Sequence, residues 1–565
     1  MSDLSPELIS QISSRLLHEA QAAAGGGAPE LAALLPAMNQ QIPHDAPASL
    51  ASHAASPVAS ATPMTANIPG LHTLPNSTAV RKLPEQLNLD PLTIPGLAAS
   101  PGLAAPNQEL NPEGLRGFVQ RVQSTHWQNP AGLCTEPAVR FPVHGAPTGV
   151  SSVNLAGIPA SRPLDIPTIR KDFPILHQLV HGKPLVWFDN AATTQKPQSV
   201  IDTLSHYYTH DNSNIHRAAH TLAARSTDAY EKARETVQQF LGAGSVNEII
   251  FVRGTTEGIN LVAQTYGRKF LQPGDEIILS TLEHHANIVP WQQVAREKGA
   301  VIRVIPVNDR GEIMLEEYQS LLGPRTRLVS LTHASNSLGT LVPIQEMIQM
   351  AKRYNARVLI DGAQTVAHTP VNVQQLDCDF FVFSGHKIFG PTGIGAVFAK
   401  SELQEIMPPW QGGGNMIRHV TFEETTFAGP PAKFEAGTPN IADAVGLGAA
   451  LEYVTRLGLS NIAKYEHELL EYATHGLSQV PGVRLVGLAR DKVGVVSFVL
   501  PGKKTEEIGR LLDLEGIAVR AGHHCSQPSL RRFGLDATVR ASFAFYNTKQ
   551  EIDHLVTAIR RIQTA

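Results

Sequence analysis

Arg357-Val358-Leu359-Ile360-Asp361, running on into Gly362-Ala363-Gln364, and Phe380-Phe381-Val382-Phe383, running on into Ser384-Gly385-His386-Lys387, decide how the chain is read. Each opens as a short apolar run, rich in β-branched or aromatic residues and bounded by turn residues, which is the pattern of a buried strand. Each then passes directly into a reactive side chain, a carboxylate in the first and a lysine in the second. Ligands of open α/β sheets bind beyond the carboxyl ends of the strands, so Asp361 and Lys387 belong to one candidate site. A lysine to form a Schiff base and a carboxylate to keep a pyridine nitrogen protonated are what a pyridoxal phosphate enzyme requires. Ser384 and His386 beside the lysine are donors suited to the phosphate. So is Gly254-Thr255-Thr256, at a strand-to-helix turn where the helix N-terminus favours an anion. Gly390-Pro391-Thr392-Gly393-Ile394-Gly395 matches neither G-x-G-x-x-G nor the Walker loop and opens no clear helix, which argues against nucleotide binding.

Outward from these two strands the texture repeats. Glu248–Val252, Glu276–Ser280, Val301–Ile305 and Leu328–Leu331 are further apolar runs, and helical segments are expected over Gly258–Tyr266, Pro290–Lys298 and Ile344–Tyr354, with another around Tyr230-Glu231-Lys232-Ala233. Alternating buried strands and helices predict an α/β fold, a mainly parallel sheet covered on both faces. After about residue 445 the order is helix, strand (Val495–Val499), helix, strand (Ile517–Arg520), which predicts a smaller α+β domain. The expected division is an extension over 1–165, a cofactor-binding domain over 166–445 and a small domain over 446–565.

The extension differs in kind. It holds 21 of the 40 prolines and only three aromatic residues, Phe118, Trp127 and Phe141, so it cannot bury enough apolar surface to offset its ordering entropy and reads as largely disordered. Ser5-Pro6-Glu7 signals a short amphipathic helix that Gly25-Gly26-Gly27 would stop, and Gly117–Trp127 a weaker helical turn. Between them Ile68-Pro69-Gly70-Leu71 repeats as Ile94-Pro95-Gly96-Leu97, with a partial echo at Pro101-Gly102-Leu103. Such repeats read either as coincidences of linker composition or as a multivalent peptide ligand. A net charge of −4 argues against a nucleic-acid or membrane-surface protein, and no apolar run is long enough to span a bilayer. Three cysteines without a C-x-x-C disfavour a disulfide framework and structural zinc, and the start MSDLSPELIS lacks a secretory pattern. The extension's acidic excess also weakens a transit-peptide reading. A cytoplasmic enzyme without a metal is expected. Cys378, beside an apolar run, reads as structural, whereas Cys134 has no assignment.

A second reactive cluster is Arg520-Ala521-Gly522-His523-His524-Cys525, followed by Arg540. Two histidines and flanking arginines make an electropositive setting that favours thiolate, and Arg540 suits bidentate capture of a carboxylate. With Phe188-Asp189-Asn190-Ala191-Ala192, Asn214-Ile215-His216-Arg217, Arg253-Gly254-Thr255-Thr256-Glu257, Glu283-His284-His285-Ala286-Asn287, Ser335-Asn336 and Phe434-Glu435-Ala436-Gly437-Thr438, these motifs follow one another in order from Ile169 to the C-terminus. In that order they resemble the cysteine desulfurases of the SUF-pathway type (group II), within the class V aminotransferase-like fold of pyridoxal phosphate enzymes.

The resemblance implies a role for each residue. Lys387 holds the cofactor and moves the proton, and His284 stacks on the ring. Asp361 pairs with the pyridine nitrogen, and Asn336 and Gln364 neighbour the ring hydroxyl and the substrate. Thr255, Thr256, Ser384 and His386 take the phosphate, joined by Thr438 of a second subunit, so a homodimer follows. Arg520 and Arg540 receive the carboxylate of L-cysteine, and Cys525 takes its sulfur as a persulfide, for a sulfur-acceptor protein to collect. Within the same fold a selenocysteine lyase or a cysteine sulfinate desulfinase is the alternative. The extension resembles the loading segment of desulfurases carried as cargo by family 2 encapsulins. Packaging in an encapsulin shell for sulfur storage is the expectation there, and a free desulfurase serving iron–sulfur assembly the alternative.

Overall fold

The computed structural model describes residues 163–216 and 220–564. The helix expected after Ser5, the Ile-Pro-Gly-Leu repeats, Gly117–Trp127, Cys134 and Arg217 lie outside the described residues.

The larger sheet has seven strands: β1 (Ile249–Val252), β2 (Glu276–Ser280), β3 (Val301–Ile305), β4 (Thr326–Thr332), β5 (Arg357–Asp361), β6 (Phe380–Ser384) and β7 (Gly395–Ala399), in the order β1-β7-β6-β5-β4-β2-β3. Pairings within β3-β2-β4-β5-β6 are parallel, and β7 runs antiparallel to both its neighbours. Strands β1, β2, β6 and β7 are buried at every residue, as strands covered on two faces must be.

Two expectations are corrected here. Strand β3 lies at the edge and is not buried: Val301 and Val304 are exposed and Arg303 pairs with Glu276, the charge that keeps an open edge from recruiting another strand. Strand β7 was missed, because its glycine-led run reads as a loop whereas it fills the gap between β1 and β6. The helices fall where expected with shifted ends: two start earlier, the one around Tyr230 runs longer, and the one from Ile344 stops two residues sooner, at Lys352. The one around Tyr230 is α1 (Thr221–Leu241), closed by Gly242 in the left-handed conformation at φ 65°; α2 (Thr255–Val262) begins after Gly254 and passes into a π-helical turn, Ala263–Gly267. The next two are α3 (Val289–Lys298) and α4 (Ile344–Lys352).

Helices α5 (Ile441–Leu457) and α6 (Leu459–Ser478) lead into a four-stranded antiparallel sheet of β8 (Arg484–Val486), β9 (Val495–Val499), β10 (Arg520–Gly522) and β11 (Thr538–Ser542), ordered β8-β9-β11-β10. The expected strand 517–520 divides at Val519. Its first half, Ile517–Ala518, pairs in parallel with Val186–Trp187, and its second half joins the antiparallel sheet. The early segment is thereby tied to the small sheet. Helix α7 (Lys549–Thr564) covers that sheet with Ile552, Leu555 and Ile559. Among the described residues no helix is long and apolar enough to cross a membrane.

Candidate active site

The carboxyl ends of β1, β2, β4, β5 and β6 open into one cavity of about 260 Å³. Twelve residues singled out in the sequence line it: Thr255, Thr256, His284, Asn336, Asp361, Gln364, Ser384, His386, Lys387, Arg520, Cys525 and Arg540. Thr438 does not. It accepts a hydrogen bond from Asn214 Nδ2 (3.3 Å) and lines a separate cavity with Arg253, Glu257 and Trp410.

The sheet fixes the reactive groups by their strand ends. Asp361 closes β5, is buried, and accepts from the Ala363 amide (2.9 Å); burial raises its carboxyl, and among the described residues no cation bonds it. Lys387 sits in the 3₁₀ turn Gly385–Lys387 directly after β6, where burial lowers its amine to about 8 against the opposing pull of Asp361. His284 follows β2. Its Nδ1 accepts from the Ala286 amide (3.0 Å), which leaves the proton on Nε2 of the neutral ring, and burial, with the Lys387 charge behind it, lowers the imidazole to about 3. Gln364 Nε2 donates to Ala191 O (2.8 Å).

The turn at Gly254 makes a cradle. Gly254 has φ 151°, and a Cβ there would stand 3.0 Å from Ser384 Oγ, so only glycine lets the backbone approach. The Thr255 amide donates to that same Oγ (2.8 Å), and the Thr255 and Ser384 hydroxyls are 2.9 Å apart. An amide, three hydroxyls and the neutral ring of His386, lowered by burial to about 4, gather at the start of α2.

Cys525 is exposed, on a loop held in a costly conformation. His524 and Cys525 have φ of 53° and 54°, consecutive left-handed residues that each cost roughly 1–2 kcal/mol. Five hydrogen bonds offset that strain. The His285 amide donates to Cys525 O (2.8 Å), Asn336 Nδ2 to His524 O (2.6 Å) and the Cys525 amide to His523 Nδ1 (3.0 Å). The Ser526 amide donates to His523 O (2.9 Å), and Ser526 Oγ to Asn336 Oδ1 (2.7 Å). Asn336 therefore lines the cavity with both polar atoms of its side chain engaged by the loop, a use that its motif did not signal.

The two arginines meet a residue to which sequence reasoning gave no role. Asp189 Oδ1 and Oδ2 each accept from Arg520 Nε (3.1 Å), Oδ2 accepts from Arg520 Nη2 (2.9 Å), and Oδ1 accepts from Arg540 Nη2 (3.1 Å). Arg540 is buried, donates Nη1 to Asn336 O (2.8 Å) and has no partner for Nε; burial lowers it to about 10. The signal that could have found Asp189 is a carboxylate at the end of an apolar run, beside two downstream arginines that had no counter-charge of their own. Cys378 is buried, and burial pushes its thiol up to about 12, which makes it inert.

Residues 186–555 match the family model of class-V aminotransferases. The chain is 57% identical over 473 residues to a cysteine desulfurase of Synechococcus elongatus, a match covering 84% of this chain and 75% of that one. It is 63% identical over 398 residues to a probable cysteine desulfurase of Mycolicibacterium paratuberculosis, covering 70% of this chain and 58% of the relative's length. Among solved structures it is similar to a cysteine desulfurase of Escherichia coli bearing an S-sulfonic acid, at 41% identity and a TM-score of 0.66, covering 71% of this chain and 98% of the other.

Proposed function

The chain belongs to the class-V aminotransferase family and, within it, to the cysteine desulfurases, and on that footing we propose that it converts L-cysteine to L-alanine and moves the sulfur onto Cys525 as a persulfide. Its cofactor is pyridoxal phosphate. The residues present fit that group: a buried carboxylate that no cation bonds among the described residues, a lysine amine kept weakly basic, and a glycine-floored cradle of hydroxyl and amide donors. When bound, it draws electron density from the substrate Cα and so loosens the Cα proton and the Cβ–S bond.

We assign its anchoring to Lys387, its phosphate to Thr255, Thr256, Ser384 and His386, its ring nitrogen to Asp361 and its ring face to His284, with Gln364 and Asn336 beside it. Thr438 is assigned to the partner subunit's site in a homodimer. Arg540, helped by Arg520, takes the substrate carboxylate. Lys387 takes the Cα proton. Cys525 Sγ attacks the substrate sulfur; an S–S bond forms as the Cβ–S bond breaks, Cβ gains a proton, and alanine leaves. We place the cofactor chemistry in residues 166–445 and the cysteine-bearing small domain in 446–565.

The observation that carries this reading is the convergence of Lys387, Asp361 and an exposed Cys525 on one cavity. Cys525→Ala is expected to abolish alanine release from cysteine while selenocysteine cleavage stays measurable, because selenium leaves without a thiolate to take it. Normal cysteine turnover by that variant would remove Cys525 from the nucleophile's role. Alanine release from cysteine, selenocysteine and cysteine sulfinate, compared in the wild type, separates a desulfurase from a lyase or a desulfinase.

The motif set favours the SUF-type group. For residues 1–165 we propose docking to an encapsulin shell through the Ile-Pro-Gly-Leu repeats. The S. elongatus match supports a shared role for this extension, being longer than residues 166–565 can supply alone and so reaching into it.

A further inference from the structure

The assignment of Arg540 and Arg520 to a substrate carboxylate leaves a question of charge. Two guanidinium groups converge on one small cavity, and one of them belongs to a residue only 1% exposed. A buried cation needs a partner, and two of them need something that keeps them together. Asp189 meets that need. Its Oδ1 is 3.1 Å from both Arg520 Nε and Arg540 Nη2, so one oxygen serves both cations, while Oδ2 takes Arg520 Nη2 at 2.9 Å.

The backbone places Asp189 firmly. Phe188 O accepts from the Ser542 amide (2.7 Å) and the Phe188 amide donates to Ala518 O (2.9 Å), so the residue before Asp189 is pinned between the strand leading to Arg520 and β11, which bears Arg540. Ala192 and Thr193 donate their amides back to Asp189 O at 3.1 and 3.2 Å, which fixes the turn after it.

We infer that Asp189 is the positioning residue of the carboxylate subsite: it holds Arg520 and Arg540 as one fork and sets the subsite's charge at a single net positive, which one incoming carboxylate neutralises. Without its charge the guanidinium groups repel. Arg520, half exposed, turns toward water, and Arg540 is left buried without a counter-ion, in surroundings that already lower its basicity. The subsite then loses one cation and weakens the other.

The inference rests on the proposed assignment of the two arginines, and its test does not depend on turnover. The holoenzyme and its Asp189→Asn variant are titrated by calorimetry with L-alanine and with L-alaninamide, which carries no carboxylate. The wild type is expected to prefer alanine. In Asp189→Asn the alanine Kd should rise by about tenfold or more, about 1.4 kcal/mol, while the alaninamide Kd changes less than about threefold. Asp189→Glu keeps the charge, moves the oxygens, and should fall between the two. Equal weakening of both ligands would make Asp189 a merely structural residue and overturn the inference. So would an unchanged alanine Kd, or a wild type that binds both ligands alike. Should Asp189→Asn fail to fold, Asp189→Glu decides: a loss confined to alanine supports the inference, and an equal loss of both ligands overturns it. A wild type that prefers alanine yet releases none from cysteine refutes the proposed activity and leaves this subsite reading standing.

Discussion

At the scale of single residues, Lys387 is the group whose surroundings alter its chemistry most usefully. An ordinary lysine, with a pKa of about 10.4, is almost wholly charged near neutrality, whereas burial brings this amine to about 8. Only the uncharged amine is a nucleophile, so its reactivity rises as pH passes upward through that value. In cofactor-free protein, labelling of Lys387 by a small acylating reagent, followed by peptide mass spectrometry over a pH series, should reach half its maximum near pH 8. A midpoint near that of the exposed lysines would show that burial does not govern this amine. The identities of Lys387, Asp361 and Cys525 could be read from the chain because each stands at a strand end or beside other chemistry in a short motif. Asp189 was harder to read: the carboxylate after its apolar run is local, but its partners Arg520 and Arg540 lie 331 and 351 residues away and only the fold brings them together.

At the scale of elements, the segment that carries Glu435, after the antiparallel hairpin Ile417–Val420/Thr425–Phe427, is locked to α1 by a buried ion pair. Arg234 donates Nη1 to Glu435 Oε1 (2.7 Å) and Nη2 to Oε2 (3.0 Å). The Phe251 amide of β1 adds a bond to Oε1 (2.8 Å), and the Tyr230 hydroxyl one to Oε2 (3.2 Å). Both side chains are only 3% exposed. Removing the Glu435 charge leaves Arg234 with only the half-exposed Glu231 (Nε to Oε2, 2.9 Å) as counter-ion, and breaking such a buried pair costs about 3–5 kcal/mol. Glu435→Gln should therefore lower the urea midpoint by an amount corresponding to several kcal/mol, and added salt should not mimic the effect, because the pair is shielded from solvent ions. A loss below about 1 kcal/mol would mean that the loop is held by its other contacts. Strands β2, β3 and β5 were legible to the residue because turn residues bound their apolar runs. Strand β7 was not, since Gly395 gives no strand signal until its partners β1 and β6 are in place. The division at Val519 was hidden for the same reason: it marks a change of sheet, which only the distant Val186–Trp187 imposes.

At the scale of the whole molecule, the chain joins a folded enzyme to a proline-rich extension of different composition, and packaging is the property that tests the join. In lysate from cells making residues 1–565, cysteine-dependent alanine formation should elute with megadalton particles on size exclusion, whereas residues 166–565 should elute as a dimer. Elution of both as dimers would leave a free desulfurase and remove the docking role from the extension. The α/β class was legible from the alternation of periods along the chain, but the pairing of Val186–Trp187 with Ile517–Ala518 was not. That pairing has a consequence for synthesis. The Val186 amide bonds to Gly516 O and Phe188 O receives the Ser542 amide, so a segment made early waits for one made near the end. While the nascent chain emerges, Phe188, fully buried in the finished protein, has no partner. The meeting of Asp189 with Arg520 and Arg540 is thus among the last features to form, and a ribosome stalled before residue 520 holds a chain in which Thr255, Asp361 and Lys387 are already written while Asp189 still waits for both of its cations.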